Sequence, residues 1–254
     1  MLSKEKIEKE LTTLGENAPK IVFYELTDST NTRAKEYARE NPSNNLPVVF
    51  IANGQSAGRG RRGRSFVSES GAGIYISILT YPSESGADAT RATARAAVLL
   101  ARAIESLCDC KIKIKWVNDL YLGGKKLAGI LTEGEMGKDG KIAYQVVGMG
   151  INVYKNAISD EISTIATSLE SETNSPPDRS KLAARIIEEF LSTGVDCYAE
   201  YKARSFIIGA DVTVMKLGES YPARVVDINP DFSLHIMTDK GAQNLFTGEV
   251  SLKI

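Results

Sequence analysis

The chain has 254 residues, 43% hydrophobic and 25% charged, with a formal net charge of −1, which is the balance of a globular protein large enough to bury a full core. That near-neutral charge argues against a broad nucleic-acid-binding surface, and no apolar run reaches the roughly 20 residues of a membrane helix. Cys108, Cys110 and Cys197 are odd in number and lack repeated metal-ligand spacing, so they read as free thiols of a cytoplasmic protein. His235 is the one histidine and sits in the strand-like "SLHIMT", which leaves Ser-His, Cys-His and His-zinc chemistry poorly supported.

Residues 1–20 read as a short, charged, amphipathic helical extension without a signal-peptide core. "KIVFYELTDSTNTRAKEYAREN" predicts a strand, a cap and a helix, with the cap-type residues Asp28, Ser29, Thr30 and Asn31 where helical spacing begins. "LPVVFIAN" is a buried strand that feeds "GQSAGRGRRGRSF" (54–66), a local island of four arginines and four glycines, and "GIYISILTY" is the strand that leaves it. An alanine-rich helix is expected from Ala87 to Leu107. In "KIKIKW" the alternation puts Ile112, Ile114 and Trp116 on one face and Lys111, Lys113 and Lys115 on the other. "LYLGGKKLAGILTE" reads as two strands joined by a Gly-Gly turn, and "GKDG" (137–140) as the next hairpin, returning through "KIAYQVVGMGINVY".

The polar, proline-broken stretch 168–180 reads as a loop, followed by one long helix or two as far as Ser205. Past Gly209 short alternating strands separated by "LGES", "NPD" and "DKG" predict a small β-barrel. The fold class is therefore α+β, a mainly antiparallel sheet with packed helices and a small C-terminal β-unit.

Several turns carry groups suited to anions. Gly58, Gly60 and Gly63 allow close backbone approach and positive φ, while Arg59, Arg61, Arg62 and Arg64 offer planar forks for carboxylate and phosphate. "DSTN" puts hydroxyl and amide groups at a helix N-terminus, lysines flank an Asn-Asp pair in "KWVNDLYLGGKKLAG", and "GMGIN" exposes backbone beside Asn152. Singly, each has a plain structural reading: a solvated or RNA-touching basic loop, a helix cap, a turn, a tight bend. No P-loop occurs.

Together and in order, "DSTN" (28–31), "GRGRRGR" (58–64), "KWVND" (115–119), "KLAGIL" (126–131) and "GMGIN" (148–152) make the chain resemble the biotin protein ligases over nearly its whole length. The resemblance implies ATP-dependent formation of biotinyl-5′-AMP and transfer of biotin to a lysine of a biotin carboxyl carrier protein or domain. It implies the biotin/lipoate ligase catalytic fold in residues 21–206 and an SH3-like β-barrel in 207–254. Biotin contacts fall on Ser29, Thr30, Asn31, Gln55, Arg59, Gly60, Arg61, Lys126, Gly148 and Gly150, with Lys126 and Arg61 the catalytic pair. Arg61, Arg64, Lys115, Asn118 and Asn152 fall on the ATP side, and Asn118 and Asp119 on Mg²⁺.

Two departures stand out. Val117 replaces the family's proline, which should loosen that turn, and Phe66 replaces a frequent tryptophan. Only 20 residues precede the first expected strand, too few for the helix-turn-helix of the repressor members, so DNA is not an expected partner; nor is a membrane. Homodimerisation through the sheet occurs in the family. The rivals are a lipoate or octanoate ligase of the same fold and a nucleic-acid-binding module built on the arginine loop.

Overall fold

The computed structural model describes residues 1–82, 89–137, 141–192, 196–216, 219–246 and 249–252. Its centre is a sheet of β1 (Lys20–Tyr24), β2 (Val48–Ala52), β3 (Gly73–Thr80), β4 (Lys113–Lys115), β5 (Asp119–Leu122), β6 (Lys125–Met136) and β7 (Ile142–Asn152). The seven strands lie in the order β1-β2-β3-β7-β6-β5-β4. The β1–β2 pair is parallel because helix α2 (Thr30–Glu40) carries the chain back between them; the other neighbours are antiparallel. This is the mixed α+β architecture that the alternating segments predict. Gly123 (φ 57°) and Gly124 (φ 81°) form the turn from β5 to β6, both in the left-handed region that a two-residue hairpin needs. The expected "GKDG" turn joins an antiparallel pair, but its residues 138–140 lie outside the described residues.

Period-two alternation assigns the two faces of the sheet. Tyr144 and Val146 of β7, Leu79 of β3, and Val48 and Phe50 of β2 pack with Ala34 and Ala38 of α2. The intervening residues, including Val49, Ile51, Ile74, Ile76, Ile78, Val147 and Ile151, belong to the main core. That core is covered by α1 (Lys4–Glu10), α3 (Ala89–Glu105) and α5 (Arg179–Leu191). Small buried residues such as Ala94, Ala97 and Ala101 leave room for α3 to lie close to its neighbours, while Val98, Leu99 and Ile104 fill the space between.

Several elements differ from expectation. The N-terminal helix is shorter than residues 1–20 and is docked rather than extended: Leu2 and Ile7 are buried in the main core, and the Thr12 and Thr13 amides donate to Glu188 of α5 at 3.2 and 3.0 Å. Helix α3 ends at Glu105 instead of Leu107, and its expected start at Ala87 lies outside the described residues. The stretch read as a loop contains one helical turn, α4 (Leu169–Glu172), whose N-terminus Ser168 caps through its side chain. The following segment makes two helices, α5 and α6 (Tyr198–Arg204).

The C-terminal strands β8 (Asp211–Lys216), β9 (Glu219–Ile228), β10 (Leu234–Thr238), β11 (Gly241–Leu245) and β12 (Glu249–Leu252) form one antiparallel sheet, ordered β11-β10-β9-β8-β12. Val212, Val214, Val225 and Leu234 join the same hydrophobic cluster as the larger sheet. Trp116 Nε1 donates to the Phe232 carbonyl at 2.8 Å, and the Tyr201 ring meets Phe232 edge-on at 5.4 Å. The small sheet is therefore fused to the rest by shared core. His235 lies on β10 with Nδ1 2.7 Å from Asn244 Oδ1, a strand position as predicted.

Candidate active site

On the α2 face the side chains of β7 shrink toward one end, the row running Tyr144, Val146, Gly148, Gly150, and beside it on β3 Leu79 is followed by Ser77. Bulk under α2 gives way to glycine and serine, and a cavity of about 290 Å³ opens there. A Cβ on Gly148 would overlap Asn31 Oδ1, and one on Gly150 would come 2.6 Å from the Phe66 ring. These glycines admit the site's own side chains as well as bordering the cavity.

The first wall is the start of α2. Ser29 holds the N-cap position, but its side chain makes no capping bond. Asp28 accepts from the Ser29 amide at 2.7 Å and from Arg33 at 3.0 Å, and the Thr30 amide donates across to Gln55 Oε1 at 2.8 Å. Capping is thus taken over by neighbours, which leaves the buried Ser29 hydroxyl facing the cavity. Gln55 is braced in turn, its Nε2 donating to Ser68 at 2.9 Å. Ser77 Oγ lies 2.7 Å from Thr30 Oγ1 and 2.6 Å from Asn31 Oδ1.

The arginine loop arches over this wall. Gly60 N–H donates to Arg64 O at 2.7 Å and Phe66 N–H to Gly58 O at 2.9 Å, closing the segment on itself. Positive φ is found at Arg62 (55°) and Gly63 (74°), not at Gly58 or Gly60. Gly58 is small because a Cβ would overlap the Phe66 carbonyl. At Gly60 a Cβ would meet nothing nearer than 3.5 Å, so the open space there is on the cavity side. Arg59 Nη2 donates to Thr32 at 3.0 Å, and Arg61 Nη1 donates to Asn118 Oδ1 at 3.1 Å. Arg64 also lines the cavity, whereas Arg62 turns away and donates to the Met215 carbonyl of β8 at 2.9 Å.

The opposite wall comes from β4, β5 and β6. Lys115, Asn118, Asp119, Tyr121 and Lys126 line the cavity. Lys126 Nζ lies 2.8 Å from Asp119 Oδ1, an ion pair without hydrogen-bond angles, and that buried oxygen has no hydrogen-bond partner among the described residues. Lys125 points elsewhere, donating to the Ser163 carbonyl at 2.7 Å in an exposed position. Burial, followed by the charge of Asp119, pushes the Tyr121 phenol up to about 12, so it keeps its proton at neutral pH. Val117 is buried, and its carbonyl accepts from Tyr201 at 3.1 Å, so the departure from proline leaves this turn held.

Every predicted site residue lines this one cavity except Asn152, which is buried and donates through Nδ2 to the Thr167 carbonyl at 3.1 Å. Sequence reasoning missed Ile165, 66% exposed at the rim, and Val250, which brings the C-terminal sheet to the cavity. It also missed the supports Ser68, Ser77 and Glu133. A serine within an otherwise apolar strand, "GIYISILTY", was the one available signal for Ser77.

The donor set does not fit a protein-held Mg²⁺ at Asn118 and Asp119. Asn118 Oδ1 is occupied by Arg61, and Asp119 Oδ1 faces the Lys126 ammonium. Among the described residues no cluster of three His, Cys, Asp or Glu side chains could hold a metal. None of the three cysteines forms a disulfide among the described residues, and no described helix is long and apolar enough to cross a membrane.

Comparison with known proteins agrees with this geometry. The profile of the Biotin/lipoate A/B protein ligase family matches residues 23–152. The chain is 28% identical over 248 residues to the bifunctional ligase/repressor BirA of Bacillus subtilis (strain 168), covering 91% of this chain and 74% of that protein. It is 33% identical over 184 residues to the biotin–[acetyl-CoA-carboxylase] ligase of Paracoccus denitrificans, covering 70% and 71% of the two chains. In fold it is similar to the biotin protein ligase from Aquifex aeolicus in complex with biotin and ATP, with a TM-score of 0.75 at 24% identity over 92% of this chain and 98% of that one. With the family profile spanning β1 to β7 and the ordered motifs gathered at one cavity, the chain belongs to the biotin/lipoate A/B protein ligase family.

Proposed function

We propose that this chain is a biotin protein ligase, which activates biotin with ATP and transfers it to a lysine of a biotin carboxyl carrier protein or domain. The observation that carries this reading is the cavity itself. It sets the hydroxyl and amide groups of Ser29, Thr30 and Asn31 opposite the cations Arg61, Arg64, Lys115 and Lys126. Biotin has the same two-ended chemistry, a ureido head that needs hydrogen bonds and a carboxylate that needs positive charge. The dithiolane of lipoate would leave the polar wall unpaired, a costly mismatch in a site built for hydrogen bonds.

In the first step a carboxylate oxygen of biotin attacks the α-phosphorus of ATP. The bond from that phosphorus to the bridging oxygen breaks, and pyrophosphate leaves with a mixed anhydride behind it. Arg61 and Lys126 stand where negative charge builds between the carboxylate and the phosphate, so they stabilise the transition state by fixed charge. In the second step the neutral amine of a carrier lysine attacks the anhydride carbonyl. An amide forms, the amine gives up a proton, and AMP departs. Mg²⁺ belongs to this scheme as part of the nucleotide substrate, held by phosphates and water. Ile165 supplies an apolar surface for the adenine at the rim.

Residues 21–206 act as the catalytic unit, 1–20 as its docked N-terminal arm, and 207–254 as an SH3-like unit that reaches the cavity through Val250. Cytoplasmic residence and pairing through the sheet fit this reading. The test is mass spectrometry after incubation with biotin, ATP and Mg²⁺. Bound biotinyl-AMP is expected; adenylate formed with lipoate and not with biotin would overturn the assignment.

A further inference from the structure

We infer that Glu133 is a positioning residue for biotin, fixing Asn31 as a hydrogen-bond acceptor toward the cavity while tying Arg59 to the same anchor. The inference rests on the reading of the cavity as a biotin site. Glu133 stands on β6 in the row Gly129, Leu131, Glu133, Glu135, which faces α2. The first two line the cavity, and Glu133 lies just past its edge.

The Asn31 amide nitrogen donates to the Leu131 carbonyl at 3.2 Å and to Glu133 Oε2 at 2.8 Å. Both partners can only accept, so the atom facing them must be the NH₂ group. Its two hydrogens are thereby used within the protein. What remains is Oδ1, lying over Gly148 on the cavity floor, where it accepts from Ser77 Oγ at 2.6 Å and keeps its second lone pair for the ligand. Asn31 therefore offers the ligand an acceptor, which suits a ring N–H and rejects a carbonyl. Glu133 Oε1 accepts from Lys35 at 2.6 Å, and Oε2 lies 3.4 Å from Arg59 Nη2. One carboxylate thus joins α2, β6 and the arginine loop. Burial opposes its ionisation, but the bonds from Lys35 and Asn31 and the charge of Arg59 hold it below the usual carboxylate range.

A glutamine has a single carbonyl oxygen where glutamate has two acceptors, and its NH₂ would face either Asn31 or Lys35. Glu133→Gln is thus nearly isosteric yet removes the polarity that fixes Asn31. Glu135, the next residue in the row, pairs with Arg39 at 2.9 Å and serves as control. Biotin-dependent ATP–pyrophosphate exchange is measured with purified wild type, Glu133→Gln, Glu133→Ala and Glu135→Gln, together with thermal midpoints. The expected result is a biotin KM raised by about tenfold or more in both Glu133 variants, the loss of a charge-assisted bond, with ATP KM and Glu135→Gln near wild type. A wild-type biotin KM in Glu133→Gln, or an equal rise in both KM values with a fallen midpoint, would overturn the inference. Absence of biotin-dependent exchange in the wild type would instead sink the underlying reading, and this inference with it.

Discussion

Replacing Lys126 by alanine, with Lys125→Ala as its neighbour control, tests the strand register on which the site depends. Lys126 Nζ lines the cavity 2.8 Å from Asp119 Oδ1, with 35% of its side chain exposed, while the Lys125 ammonium donates to the Ser163 carbonyl on the exposed side. Removing a preorganised donor from a site of developing negative charge lowers the rate by a factor of about 10²–10³. The lost ion pair also leaves a buried carboxylate oxygen without its cation. Exposed pairs contribute about 0–1 kcal/mol and the breaking of buried ones costs about 3–5, so this half-exposed pair is worth about 1–2 kcal/mol. For a chain of this size that lowers the thermal midpoint by roughly 2–8 °C, leaving the variant folded at assay temperature. Lys125→Ala should stay within about 0.5 kcal/mol of wild type in stability and within a factor of about two in rate. Pyrophosphate exchange on both purified variants reads the difference. An inactive Lys125→Ala beside an active Lys126→Ala would refute the reasoning.

Other expectations follow from named contacts. Residues 54–66 should gain hydrogen-exchange protection on binding biotinyl-AMP, because fixing the loop's glycines costs backbone entropy that contacts to the ligand offset; equal protection with and without ligand would defeat this. Gly148→Ala should raise the biotin KM more than the ATP KM, since the new methyl group displaces Asn31 Oδ1; unchanged biotin affinity would show that Asn31 is not used. Glu105 and Glu200 both pair with Arg204 at 2.7 Å, and Glu200 also accepts from Arg102 Nε at 2.9 Å; although burial opposes ionisation, Arg204 at Glu105 and Arg102 with Arg204 at Glu200 hold both carboxyls below their ordinary range. Because the folded values are depressed, the stability they supply is present above the unfolded value and is lost as pH falls through the folded one. Thermal midpoints should therefore decline below about pH 4.5, and less so in Arg204→Met; a parallel decline in both proteins would place the acid sensitivity elsewhere.

Alternating strands and turn residues mark the C-terminal sheet as a small unit, which would make its deletion a clean probe of what it contributes. Trp116, Tyr201 and Phe232 instead join it to the core beneath the cavity, so truncation would expose that core. Arg62→Ala, which removes the loop's bond to Met215, is the gentler probe of the same connection.

The sequence by itself determined, through the order of its motifs, which residues come to line the cavity, Asn152 excepted. The motif glycines, arginines and lysines are local signals; period-two alternation puts Lys125 and Lys126 on opposite faces, the likeness of "KLAGIL" to the family's motif says which of them turns inward, and the same alternation groups Ile112, Ile114 and Trp116, all buried. Only the tertiary structure decided what holds those residues. Glu133 reaches Asn31 across 102 positions because β6 and the start of α2 meet on one face of the sheet, and Ser77 does so across 46. Asn152, next to the glycines in sequence, is drawn off to Thr167, and Leu2 and Ile7 are drawn into the core by α5. Strand order is the reason. The placing of β7 between β3 and β6 sets which side chains share a floor, and that placing depends on the packing of the whole sheet, which no local spacing encodes.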